Sequence, residues 1–235
     1  GLEKDRFIIK INNRKIFQGI LEFFDIKDPK QSLTILRSID KFQSVGKKGV
    51  LELLTKGRLD KSGDFTKGAN LKKEIAEEIF ELLSADSIVR DKKTGVCRLS
   101  AGNALFKIEN DIFLEGVKEV DTILNYLGEN KEVNIMSTDL SFEQDMINFQ
   151  MDLSVVRGLE YYTGTVMEAE TTDTSFWKSS RDANAFKKIK LGSLSGGGRY
   201  DKLVSRFLND DYPSVGISIG LDRILILLKD KYKDQ

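Results

Sequence analysis

The chain has 235 residues, balances 37 Lys and Arg against 37 Asp and Glu, and contains no histidine, one cysteine and two prolines. Those counts exclude a Ser-His-Asp triad, an HExxH metalloprotease helix, His-ligated iron or copper, an internal disulfide and a Cys-rich zinc site. The residue types left for chemistry are Arg, Lys, carboxylates, Tyr, hydroxyls and backbone amides, a set suited to neutralising charge on phosphate groups.

Phe7 to Asn12 is rich in β-branched and aromatic residues and predicts a short strand. Asn12-Asn13 signals a turn or helix start, and a helix follows from Arg14 to Phe24 with Ile16, Ile20 and Phe24 on one face. Pro29 suits the first turn of a second helix, which runs to about Phe42 and is striped by Leu33, Leu36 and Ile39. Val50–Leu54 is a short apolar segment ended by Gly57, and the polar stretch from Lys56 to Asn70 reads as a loop. Leu71 to Leu83 is amphipathic, with Leu71, Ile75 and Ile79 joined on one face by Phe80 and Leu83. Gly102 to Ile108 is ambiguous. Asp111 then caps a helix carrying Phe113, Val117, Val120, Leu124 and Leu127, which Gly128 ends. On this reading the first 140 residues are mainly helical.

The pattern changes near residue 132. Val133–Ile135, Gln150–Val156 and Tyr161–Glu170 read as strands, and the polar residues 171–190 as either an exposed hairpin or a flexible excursion. Arg199 to Phe207 fits a helix that Pro213 breaks. Val215 to Gly220 alternates as a strand and Leu221 to Leu228 is helical. The fold class expected is α+β, an antiparallel-type sheet flanked by helices. No apolar run approaches the roughly 18 residues of a membrane span, and no signal-peptide pattern is visible, so a cytoplasmic chain is expected.

Three segments could carry chemistry. In the final strand Val215, Ile217 and Ile219 share one face, while Gly216, Ser218 and Gly220 leave the other almost bare. Such a face marks either tight packing or close approach of a ligand. Arg223 follows in the first helical turn, where amides and a guanidinium can serve phosphate together. Ser195 to Asp201 holds a three-glycine run read as leading into a helix; it serves either a turn or a ligand's approach, and it is not a Walker P-loop because no Gly-Lys-Ser/Thr follows. Arg157 to Gly164 places an Arg before paired tyrosines, which form either core or a pocket wall with hydroxyls. Cys97 reads as a packed or surface thiol; the Lys47-Lys48, Lys72-Lys73 and Lys92-Lys93 pairs could rim an RNA site, but interleaved acidic residues favour single solvated faces.

Taken in order, these segments resemble the histidyl-tRNA synthetase family of class II aminoacyl-tRNA synthetases. Arg157 to Gly164 resembles the family's histidine-specific signature, Gly196 to Leu203 its second signature, and Val215 to Arg223 the class II motif 3. Asn12-Asn13-Arg14 resembles the segment just after motif 2, and Glu160 stands where the family commonly has Asp. Motifs 1 and 2 and the anticodon-binding domain are not matched, which implies an incomplete catalytic core. The implied organisation is a front part of the core over residues 1–47, a mainly helical insertion over 48–140 and the core with the signatures over 141–235.

The resemblance implies a ligase that activates L-histidine with ATP and transfers it to tRNA(His). Histidine's own carboxylate is then the nucleophile, so the enzyme's task is positioning and charge neutralisation. Arg157 is implied as the catalytic residue at the α-phosphate. Tyr161, Tyr162, Tyr200, Gly197 and Gly198 are implied at the histidine pocket, and Gly220 and Arg223 at ATP. Mg²⁺ is implied to travel with ATP and the complete enzyme to be a homodimer, with no membrane partner. A related class, regulatory subunits of ATP phosphoribosyltransferase, senses histidine without charging tRNA. Retention of Arg157, Tyr161-Tyr162 and Arg223 favours the ligase.

Overall fold

The structure is a computed structural model that describes residues 7–60, 62–83, 87–90, 97–101, 104–127, 148–156, 161–171, 177–179, 186–188, 192–203, 207, 208, 210 and 212–231. The strand expected at Val133–Ile135 and the helix stop at Gly128 lie outside them. In chain order the elements are β1 (Phe7–Asn13), α1 (Arg14–Phe23), α2 (Pro29–Asp40), α3 (Phe42–Leu54), β2 (Gly57–Leu59), β3 (Phe65–Lys67), α4 (Lys73–Leu83), β4 (Ser87–Arg90), β5 (Cys97–Ala101), β6 (Ala104–Ile108), α5 (Asp111–Leu127), β7 (Asn148–Met151), β8 (Thr165–Thr171), β9 (Trp177–Ser179), β10 (Phe186–Lys188), β11 (Ser193–Arg199), β12 (Val215–Ile219) and α6 (Leu221–Lys231).

The centre is a five-stranded sheet in the order β12-β11-β8-β1-β7. Its pairs are antiparallel except β1 with β7, which is parallel. Cross-strand partners share a face, so the register defines two surfaces. One carries the row Met151, Ile11, Met167, Gly197 and Ile217. Ile11 is fully buried on that side, in one core with α1 and α5 residues such as Ile16, Ile20, Phe113 and Val117. The two helices meet at a glycine: a Cβ on Gly116 would stand 2.7 Å from the Ile16 amide nitrogen, a contact only glycine avoids. The opposite surface carries Gln150, Lys10, Glu168, Gly196 and Ser218, and one step along, Asn12, Val166, Gly198 and Gly216. An apolar, helix-covered face backed by a polar one is the usual state of an antiparallel sheet. The α+β expectation therefore stands.

Local chemistry sets the element ends. Asn13 accepts a hydrogen bond from the Lys15 amide at 3.0 Å and caps α1. Asp28 caps α2 with Pro29 at its first turn. Gly46, with φ 67°, is non-helical and divides α3 into two helical pieces, the second of which contains the expected Val50–Leu54 segment. Asn110, not Asp111, caps α5, because its side-chain oxygen takes the Phe113 amide at 2.9 Å.

Several expectations are corrected. The stretch read as a loop from Lys56 to Asn70 holds a hairpin of β2 with β3, and β4, β5 and β6 form a three-stranded antiparallel sheet that takes in part of the ambiguous Gly102–Ile108 stretch. The strand expected to Val156 stops at Met151, where Asp152 folds back to take the amide and hydroxyl of Ser154. No helix follows Arg199 in the described residues. The glycine run lies inside β11, where β8 and β12 occupy its backbone bonds on both edges. Tyr161 and Tyr162 precede β8 instead of opening it. Of the two readings of residues 171–190, the pairing is that of a hairpin, since β9 and β10 are antiparallel. Among the described residues no helix is long and apolar enough to cross a membrane.

Candidate active site

Three tyrosines gather where β11 ends and β8 begins. Ring centroids of Tyr161 and Tyr162 are 4.3 Å apart, and Tyr200 stands 6.2 Å from the first and 6.3 Å from the second. Two of the rings lie on bare strand backbone. A Cβ on Gly198 would be 3.0 Å from two Tyr162 ring carbons, and one on Gly216 would be 2.5 Å from the Tyr200 hydroxyl oxygen. Gly198 and Gly216 are directly paired, so the tyrosines occupy space that any side chain in that row would fill. The bare strand face thus has a physical account: it seats aromatic rings.

Gly197 is separated from this cluster. Strand alternation turns it to the opposite face, where a Cβ would be 2.6 Å from Cγ2 of the exposed Ile217. There it lines a groove of about 630 Å³ with Ile123, Met167 and Ile217. A second groove, of about 860 Å³, reaches Tyr162, Thr163 and Asp201 from α1 and α2 and is rimmed by Arg14, Lys27 and Lys202. Burial lowers the Arg14 pKa from its ordinary value.

Arg223 sits at the other end of β11. Its guanidinium donates to the Ser193 carbonyl, and the Gly220 amide donates to Leu194 O at 2.7 Å, tying the start of α6 to the start of β11. The arginine is exposed, and a guanidinium has five N–H donors, of which one bond to Ser193 is seen. A strand rises about 3.3 Å per residue, so Arg223 and Tyr200 are about 20 Å apart along β11. They form two ends of one strand rather than one pocket. Arg157 lies outside the described residues.

The polar face between these ends is charged. Lys10 Nζ is 3.0 Å from both Asp152 and Glu170. Burial alone would lower the Lys10 pKa, but the two carboxylates outweigh it and hold it above the ordinary value. Among the described residues no three His, Cys, Asp or Glu side chains gather as a metal-binding group.

Four residues were not read as site residues from the sequence. Buried Asn12 donates to the carbonyls of Leu153 and Val155, both at 3.0 Å, and so fixes the chain just before Arg157. Buried Asn13 donates to Glu119 at 2.6 Å besides capping α1. Thr163 and Asp201 bond to each other beside the tyrosines, at 2.8 Å between side chains. Adjacent asparagines at the end of an apolar strand were the available signal for the first pair. The second pair is 38 residues apart in sequence and had none.

Comparison with known proteins places this geometry. The family model described as histidyl-tRNA synthetase matches residues 12–224. A histidine–tRNA ligase of Ruegeria pomeroyi is 38% identical over 231 residues, which are 98% of this chain and 42% of the relative. The crystal structure of a histidyl-tRNA synthetase from Nostoc sp. PCC 7120 superposes with a TM-score of 0.61 at 26% identity, covering 97% of this chain and 43% of that one. A structure described as an ATP phosphoribosyltransferase regulatory subunit/histidyl-tRNA synthetase from Bacillus halodurans C, at 16% identity and a TM-score of 0.52, shares the fold. The chain spans less than half the length of the curated relative it matches.

Proposed function

This chain belongs to the histidyl-tRNA synthetase family, and from that premise we propose that it forms part of a catalytic core that activates L-histidine with ATP and passes the histidyl group to tRNA(His). The observation that carries the reading is the division of β11: tyrosine rings over Gly198 and Gly216 at one end, an exposed Arg223 at the other. Histidine binds at the tyrosine end, where Tyr162 and Tyr200 supply apolar walls and hydroxyls that orient the imidazole. Tyr161 backs Tyr162 through ring contact. ATP lies toward Gly220 and Arg223, whose guanidinium meets the terminal phosphates or stacks on the adenine.

The reaction follows from that placement. The histidine carboxylate attacks the α-phosphorus, a histidyl–phosphate bond forms, and the bond to pyrophosphate breaks. Arg157 stabilises the charge that develops at phosphorus; its role rests on the resemblance of Arg157–Gly164 to the family signature. The terminal ribose hydroxyl of tRNA then displaces AMP. Mg²⁺ would travel with ATP and would offset charge on its phosphates. Assembly as a homodimer belongs to the same proposal.

Calorimetric titration of the proteinogenic amino acids into the intact protein tests the pocket. L-histidine is expected to bind selectively, and Tyr162→Ala and Tyr200→Ala each to weaken it about tenfold or more. Equal binding of unrelated amino acids, or indifference to both tyrosine changes, would overturn the assignment.

A further inference from the structure

Asp201 joins three separate stretches of backbone around the tyrosines. Its carboxylate accepts from the Thr163 hydroxyl at 2.8 Å and from Arg199 Nε at 2.9 Å and 3.0 Å. Its own amide donates back to the Thr163 oxygen at 3.1 Å, and its carbonyl accepts from the Tyr212 amide at 3.2 Å. The Thr163 amide donates to Arg199 O at 2.9 Å, and the Tyr200 amide to Ser214 O at 2.8 Å. The segment bearing Tyr161 and Tyr162 is thus bolted to the end of β11, and that end to the residues leading into β12. Thr163 and Asp201 line the groove that reaches Tyr162, while the rings of Tyr162 and Tyr200 are what lies against Gly198 and Gly216.

We propose that the Thr163–Asp201 pair is a positioning clamp that sets the gap between Tyr162 and Tyr200, and with it the fit of histidine rather than of ATP. The inference rests on the tyrosine end being the histidine pocket. The geometry favours this role over general bracing. The clamp's bonds fall on the residues flanking the two rings, Thr163 next to Tyr162 and Asp201 next to Tyr200, so its loss lets the rings move relative to each other. The sheet itself keeps its pairing, because Gly198 remains bonded between Val166 and Gly216. Arg199 screens the carboxylate from one side, which keeps it ionised and acceptor-only toward the threonine.

The test is a set of variants of the intact protein measured for L-histidine affinity, ATP affinity and thermal midpoint. Thr163→Val keeps the shape and removes both hydroxyl bonds; Asp201→Asn keeps the size and removes the charge. Each is expected to raise the Kd for L-histidine about five- to twenty-fold, leave the Kd for ATP within about twofold, and leave the protein folded. Thr163→Ser restores most of the histidine affinity. If Tyr162→Ala and Tyr200→Ala weaken histidine while Thr163→Val and Asp201→Asn do not, the clamp is refuted and the pocket stands. If histidine and ATP affinities fall together in both clamp variants, the pair is a general brace and the proposal fails. If the tyrosine variants also bind histidine normally, the pocket reading fails and the clamp with it.

Discussion

Replacing Gly216 with alanine should damage histidine binding while sparing the fold. The added Cβ would stand 2.5 Å from the Tyr200 hydroxyl oxygen and 3.2 Å and 3.3 Å from two of its ring carbons. An ordinary carbon–oxygen contact is about 3.3 to 3.6 Å, so the hydroxyl must retreat by about 1 Å. What retreats is the tip of a half-buried side chain, not backbone, and Gly216 has an ordinary strand conformation that alanine adopts without strain. Alanine also loses less backbone entropy than glycine on folding, which offsets part of the crowding. Stability should therefore change by no more than about 1 kcal/mol. A hydroxyl moved by about 1 Å no longer orients its partner, and losing one such bond costs about 1 kcal/mol, so histidine affinity should fall about five- to tenfold. Tyr200→Phe removes the same bond without crowding and should cause a similar loss. The double variant should lose little more than either single one, because the two changes strike the same group. Calorimetry on the four proteins measures this directly. Unchanged affinity in Gly216→Ala, or losses that multiply in the double variant, would refute the seating of Tyr200 on Gly216 as a feature of the pocket.

The neighbouring glycine should behave in the opposite way. In Gly198→Ala the new Cβ would lie 2.6 Å from the Thr165 carbonyl oxygen, which is backbone, so the β8–β11 pairing must shift and stability should drop by about 1 to 3 kcal/mol in denaturant titration; a drop below that range would contradict the packing described. Lys10→Met leaves Asp152 and Glu170 without their shared cation and should cost about 2 kcal/mol at neutral pH. The Lys10 pKa is raised in the fold, so its contribution is whole below the ordinary lysine range and fades as pH climbs through the raised value. The gap between the two proteins should hold from pH 7 to about 10 and close only at higher pH, and a gap that closes on acidification within that range would contradict the pairing. On the proposed reading, Arg157→Ala in the intact protein should lose roughly 3 kcal/mol of transition-state stabilisation, about a hundredfold in turnover, and near-normal exchange activity would remove Arg157 from its assigned role.

How far the sequence revealed this arrangement depends on what each signal reports. Alternation gave the faces of β12 correctly, and the pairing Gly198–Gly216 shows why one face is bare. The same alternation, applied to the glycine run, would have divided Gly197 from Gly198, but a run of three glycines reads locally as a turn. Only the flanking strands β8 and β12, contributed from 30 residues before and 20 after, make it a strand. Helix periodicity located α1, α2, α4 and α5, because each buries a stripe in the core. The strands β4 and β5 were missed and β6 was left ambiguous, since short strands without strict alternation give little period to read. Side-chain bonds such as Thr163–Asp201 follow from tertiary contact alone and are invisible to periodicity.

Histidine-dependent exchange of labelled pyrophosphate into ATP tests the central claim most directly, because it needs histidine, ATP and the forming mixed anhydride at one site. The account expects the intact protein that carries this chain to catalyse exchange with L-histidine and not with other amino acids, and to lose it when Arg157 or Tyr162 is replaced by alanine. Selective histidine binding with no exchange would contradict the activating role and leave a histidine-sensing protein with the same fold.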